Sequence, residues 1–366
     1  MSALRQIFAS RLNLLLLFAP LAVVLPAAGA PAAATLLVAA LAIVPLAGLL
    51  GEGTEVLAAY SGPRIGGLLN ATLGNAAELI ITIVAIREGL LELVKASITG
   101  SIIGNLLLVL GLSMLAGGLR NGLQSFDRRR ALGDCILLLL AVTALAVPSL
   151  FVQSSAGIHE ATDVEILSLG VAALMMITYG LGLFYSFRGD GAPLTRPSAE
   201  TVEAKRPSWS RRTALVVLVA ATFGVVWLSE ILVGQVEPVI SALGVSEFFL
   251  GVILVPLVGN VAEHLVAVKV AMQNQMSLSV EIAVGSSLQI ALFVAPALVF
   301  LSLALGNPLT LVFNSFELIA LVASVLIVTQ VAGDGESNWL EGTELAALYL
   351  IFAIAFFLLP GGVSIP

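Results

Sequence analysis

Long apolar runs, each about the length of a bilayer crossing, follow one another along almost the whole chain. An α-helix needs about 20 mostly apolar residues to span the hydrocarbon core. Reading the runs between charges and Gly/Pro breaks gives eleven: 12–29, 34–60, 65–87, 96–117, 131–150, 162–187, 211–243, 247–272, 277–304, 311–331 and 340–360. They are continuous rather than alternating, which argues against β-barrel strands. Composition agrees. The 366 residues are 59% hydrophobic and only 11% charged, against roughly 45–50% apolar and about 25% charged in soluble domains. So few charges cannot cover a water-facing surface, so a soluble enzyme is excluded, and disorder is excluded by the high hydrophobicity. The lone Cys135 cannot form an internal disulfide and says nothing about compartment. The formal net charge is −7, so the lipid bilayer, not nucleic acid, is the expected macromolecular surrounding.

Basic residues supply the topology, because cytoplasmic loops are rich in Lys and Arg. With the N-terminus inside and eleven spans, 14 of the 16 basic residues fall on the cytoplasmic side and only Arg87 and Lys95 fall outside. The C-terminus is then outside. Arg5 and Arg11 precede an apolar stretch, but no cleavage signature follows it, so the first run is expected to be a retained helix.

Two segments of the chain resemble each other. GNAAELIITIVAI begins at Gly74 and GNVAEHLVAVKVA at Gly259, an offset of 185. The same offset pairs Gly100-Ser101 with Gly285-Ser286, Gly66 with Gly251, and Glu52 with Glu237. Small residues that let helices approach closely explain the glycines, but not a Glu at the same place in both halves. The repeat unit is five spans, an odd number, so the second copy enters the membrane from the opposite side. Inverted repeats of this kind mark secondary transporters, with sites near the midplane at the repeat interface. The expected organisation is all-α and polytopic: an extra N-terminal helix in 1–30, a first five-helix repeat in 31–187, a polar, Pro-containing cytoplasmic linker in 188–210, and a second, inverted repeat in 211–366.

Glu78 and Glu263 lie well inside their spans. An ionisable residue there costs about 2.5–3.5 kcal/mol on insertion scales, and no Lys or Arg is expected at the same depth. A pair of such Glu fits a cation site, protonated acids, or both in alternation. The residues before each Glu, Asn70 to Asn75 and Pro256 to Asn260, are poor helix interiors. Broken helices are therefore expected there, with the carbonyls near Gly74 and Gly259 facing a cavity. Asn75 and Asn260 add amide oxygens. Ser101, Asn105, Ser286, Ser287 and Gln289 form a second polar set, either as ligands or as interhelical hydrogen bonds. All are hard oxygen donors, as Ca²⁺ prefers, and the scarcity of Cys and His argues against a soft metal. Two protons or one Ca²⁺ balance the same two carboxylates. His264, whose counterpart is Leu79, is a candidate for proton transfer; His159 has no assigned role. Glu52, Glu55, Glu230 and Glu237 lie in long spans and are expected to line two access funnels that concentrate cations.

At these residues the sequence resembles the Ca²⁺/cation-proton exchanger family of the calcium/cation antiporter superfamily. The carriers are GNAAELI at 74–80, GSIIGNLLLVLG at 100–111, GNVAEHLVA at 259–267 and GSSLQIALFVAP at 285–296, with GEGTEVLA at 51–58 similar to the family's acidic gate helix. The resemblance implies proton-driven Ca²⁺ transport, with Glu78 and Glu263 as central ligands that alternate with protons. The neighbouring Asn, the Ser and Gln of the second motif, and His264 match positions of the family's site. The family's acidic region between the halves is reduced to Glu200 and Glu203. Ala77 and Ala262 stand where the Na⁺/Ca²⁺ branch usually has Pro, which favours protons.

The expectation is a Ca²⁺/H⁺ antiporter working by alternating access, with no permanently bound cofactor, no enzymatic activity and a possible homo-oligomeric assembly. A prokaryotic inner membrane is the expected location. The alternatives are a Na⁺- or K⁺-coupled exchanger and a passive cation channel, the latter disfavoured by the internal repeat. A membrane-embedded enzyme would want a catalytic pair or an H-E-x-x-H motif, and the two His, at 159 and 264, are far apart.

Overall fold

The structure is a computed structural model that describes residues 11–154, 160–187 and 209–359. Arg5, His159, Glu200, Glu203 and nearly all of the linker 188–210 lie outside the described residues. A short 3₁₀ stretch (Arg11–Leu17) leads into α1 (Phe18–Ala27). α2 (Ala32–Leu73) follows, then α3 (Ala76–Arg87), α4 (Leu91–Asn121), α5 (Arg128–Ser154) and α6 (Ala161–Phe187). The second half holds α7 (Arg211–Gly234), α8 (Val236–Leu243), α9 (Glu247–Met272), α10 (Met276–Leu305), α11 (Ser315–Val331) and α12 (Trp339–Leu358). Among the described residues eight helices are long and apolar enough to cross a membrane, and two more apolar helices are shorter. Side chains such as Phe223, Leu181 and Leu358 point outward in the open, which suits lipid rather than water.

Local chemistry sets the ends. Asn314 and Asn338 each form a capping box, with Glu317 and Glu341, at the starts of α11 and α12. Asp127 Oδ1 accepts from the Arg130 amide at the start of α5 (3.0 Å). The expected gap between the runs 34–60 and 65–87 is a kink inside one helix. Gly62 takes φ +80° there, a conformation that L side chains rarely adopt. α11 begins later than the apolar run, at Ser315. Before it, the extended chain through Leu309, Leu311 and Phe313 is buried. Its amides are satisfied by Ser302 (2.8 Å), Ser168 (3.1 Å) and Ser149 (2.9 Å) on neighbouring helices. Non-helical backbone is tolerated at membrane depth when protein supplies its partners in this way.

α2 and α7 pack along each other, with Gly53 against Leu218 and Gly224 against Leu46. At one end of this pair the Arg211 guanidinium lies over the Tyr60 ring (4.8 Å) and donates to the Tyr60 carbonyl (3.0 Å). α3, α4, α9 and α10 gather behind it.

Three of the helices contain π-turns: Gly104–Val109, Leu250–Leu254 and Ile290–Val294. The first and third are related by the offset of 185. The second stands just before Pro256. Proline has no N–H and leaves the carbonyl four residues earlier, that of Val252, without its helical donor. That carbonyl lies against Gly100, where an added Cβ would sit 2.0 Å from it.

Gly100→Ala therefore costs about 1–3 kcal/mol through overpacking against rigid backbone. The matched Gly285→Ala has nothing within 4 Å of the new methyl and leaves stability nearly unchanged. Thermal unfolding of the two variants in detergent checks this contrast.

Candidate cation site

The site forms where α2 stops. Helix α2 ends at Leu73, and Asn75 holds non-helical angles (φ −97°, ψ 25°) before α3 starts. Glu78 then falls in the first turn of α3, where unpaired amides and the helix dipole favour a carboxylate. The side chain is 3% exposed. Its Oε1 accepts from the Ser101 hydroxyl on α4 and from the Asn260 amide on α9, both at 2.5 Å. Gly259 makes room for it, since a Cβ there would lie 2.6 Å from Glu78 Cγ.

Glu263 sits one turn beyond Asn260 on the same helix. Its Oε2 accepts from the Ser286 hydroxyl on α10 (2.9 Å). Each Glu is thus held by a hydroxyl 23 residues further along the chain. Glu78 is sealed, whereas Glu263 is partly exposed. Asn75 Nδ2 donates to Gln289 Oε1 (2.7 Å), and Gly74 lies beside the same oxygen. His264 Nε2 and Asn105 Oδ1 are 3.1 Å apart, with Asn105 in the first π-turn, a feature frequent at functional sites.

The second expected helix break is not present. α9 runs without interruption through Gly259 and Asn260, so the Gly259 carbonyl is not freed by a break, and this glycine serves close packing on Glu78. The π-turn at Leu250–Leu254 takes up the disturbance from Pro256 upstream. The access residues also divide. Glu52 and Glu55 are exposed on α2, which packs beside Glu263: a Cβ on Gly48 would lie 3.4 Å from that of Ala262. Glu230 pairs with Arg87 (3.5 Å), joining α7 to α3, and its side chain stays half-exposed. Glu237 is exposed on α8.

Several acceptors remain for a cation. Glu78 Oε2 and Asn75 Oδ1 are buried without a protein donor. Buried polar atoms of this kind call for an explanation, and two carboxylates with amide and hydroxyl oxygens form a hard-oxygen set. Among the described residues no three His, Cys, Asp or Glu come together as a metal cluster, so neutral oxygens must complete any coordination shell. Sequence reading passed over the nearby Thr82 and Ser97, which line a small cavity with Glu78 and Ser101. It also passed over buried Asp134 and Glu317. Both lie in apolar runs, but neither has an acidic counterpart at the offset of 185.

A helical membrane protein with two carboxylates inside its spans, one buried and one partly so, suits a transporter, and known proteins agree. The chain matches the sodium/calcium exchanger protein family over residues 31–188 and 213–358, and it belongs to that family. It is 45% identical to a Ca²⁺/H⁺ antiporter of Aphanothece halophytica, over 88% of this chain and 90% of that one. It is also 45% identical to the Ca²⁺/H⁺ antiporter ChaA of Bacillus subtilis (strain 168), over 90% and 93% respectively. The solved structure of native YfkE superposes with a TM-score of 0.82 at 41% identity, covering 95% of this chain and all of that one. The H⁺/Ca²⁺ exchanger CAX shares the fold at 16% identity, with a TM-score of 0.71 over 95% of this chain and 91% of that one.

Removing Glu78 leaves the Asn260 amide buried without its acceptor, at about 1–3 kcal/mol, whereas removing Asn260 leaves Glu78 with the Ser101 hydroxyl alone. A double-mutant cycle of Asn260→Ala and Glu78→Ala is expected to show a coupling above about 0.5 kcal/mol in thermal or denaturant unfolding. Additive single-variant losses would mean that the two side chains do not interact.

Proposed function

We propose that this protein is an antiporter that exchanges Ca²⁺ for protons across a membrane by alternating access. The observation that carries the reading is the pair Glu78 and Glu263. Each is bonded by a serine 23 residues further on, and the bonds to both come from hydroxyls and an amide, not from Lys or Arg. A buried carboxylate without a cationic partner must bind a proton or a cation. Ca²⁺ binding requires both carboxylates to be deprotonated, so the two cargoes compete for one site. Asn75, Asn260, Ser101, Asn105, Ser286 and Gln289 complete or orient the coordination shell. His264, beside Glu263 and bonded to Asn105, assists proton movement. Two protons for one Ca²⁺ would balance the charge of the pair.

The names of the relatives support the choice of ions, and they are names of antiporters and exchangers rather than of catalysts. Around the site we propose eleven crossings: the helix of 1–30 and two inverted five-helix repeats. The N-terminus lies in the cytoplasm and the C-terminus outside, in a prokaryotic inner membrane. The offset of 185, the paired π-turns and the basic-residue asymmetry support this arrangement. Glu52 and Glu55 then line the cytoplasmic access. Glu237 stands at the outer mouth.

Proteoliposomes with an imposed pH gradient test the function. Radioactive Ca²⁺ accumulates on the acidic side, and Glu78→Gln or Glu263→Gln lowers the rate at least a hundredfold with folded protein retained. Wild-type rates in either variant contradict the assignment. Accumulation driven by a Na⁺ gradient, and not by pH, would instead make the protein a Na⁺-coupled exchanger.

A further inference from the structure

Residues related by the offset of 185 occupy matched places, yet they do not do the same thing. Asn260 donates to Glu78. The matching bond would run from Asn75 to Glu263, but Asn75 gives its Nδ2 to Gln289. The backbone differs in the same sense. The chain is broken before Asn75 and continuous through Asn260. Gly100 is pressed against the Val252 carbonyl, whereas its counterpart Gly285 has nothing within 4 Å. Glu78 is sealed and Glu263 partly exposed. One half is thus packed tightly around its Glu and the other more loosely. On the side away from Glu55, the Arg87–Glu230 pair ties α3 to α7.

Inverted repeats can reach the opposite-facing state by exchanging conformations. Resting on the reading of the halves as such repeats, we propose that Asn75 is a shuttling positioning residue. It bonds Gln289 while the site faces Glu55, and it bonds Glu263 once the site opens on the Arg87 side, as Asn260 bonds Glu78 now. A buried amide cannot leave Gln289 without another acceptor, and the two-fold relation supplies Glu263. Gln289 has no equivalent in the first half, where the matching residue is Gly104. No side chain at position 104 can therefore hold Asn260 away from Glu78. Gln289 acts on one state only, and it biases the protein toward the state seen here.

The test follows the Arg87 side directly. Spin labels are placed at Glu88→Cys and Glu237→Cys, both exposed and outside the Arg87–Glu230 pair, in a Cys135→Ser background, and their separation is read by double electron–electron resonance. Gln289→Leu removes the acceptor and adds a longer-distance population, at least severalfold above the parent. Adding Asn75→Ala to that protein removes the new population. Gln289→Met serves as a second substitution if the leucine variant folds poorly. A folded Gln289 variant with the parent distribution overturns the proposal. So does a long-distance population that survives Asn75→Ala. A purely structural role for the Asn75–Gln289 bond would not make the second substitution reverse the first. No ion flux is involved, so this result and that of the transport assay fail independently.

Discussion

Everything near the centre of this protein answers to one constraint: two carboxylates stand in a low-dielectric interior with no cationic side chain bonded to either. Burying an unpaired charge is among the costliest things a fold can do. The interior meets it with neutral donors. Ser101 and Asn260 converge on one oxygen of Glu78, and Ser286 holds Glu263. Neutral donors stabilise a carboxylate without neutralising it, so the charge stays available to a mobile proton or cation. An arginine in the same place would satisfy the carboxylate and end its use in transport.

The surrounding fold serves that arrangement through close backbone approach. Gly259 lets Glu78 lie flat on α9, and Gly100 lets α4 reach the π-turn before Pro256. The helices α2 and α7, which carry Glu52, Glu55 and Glu230, touch each other through small residues. They are tied to each other at the Tyr60–Arg211 end, and α7 is tied to α3 by a half-exposed ion pair. Exposed pairs contribute only about 0–1 kcal/mol. A tie of that size can bias a conformational equilibrium without locking it.

Much of this was legible in the sequence. Most of the apolar runs match helices, and the pair Glu78/Glu263 stands out because one offset relates it together with its serines. The expected break before Glu263 was not there to be read. Pro256 does disturb the helix, but the π-turn absorbs the missing donor upstream, and a π-turn has no sequence signature as plain as proline. Likewise Glu230 looks like any acid near a span end until the fold brings Arg87 from a distant helix. Nor does the repeat itself show that matched asparagines choose different acceptors. That difference arises in the packed structure, where Gln289 takes the Asn75 amide and the matching position in the first half is Gly104.

The central claim is that Ca²⁺ and protons contend for the same two carboxylates. Proton release on Ca²⁺ binding measures this most directly, by calorimetry of the purified protein in buffers of different ionisation enthalpy across a range of pH. The account predicts release that rises toward about two protons per Ca²⁺ as the pH falls, and that disappears when Glu78 and Glu263 are both replaced by Gln. Tight Ca²⁺ binding with no proton released at any pH would contradict it.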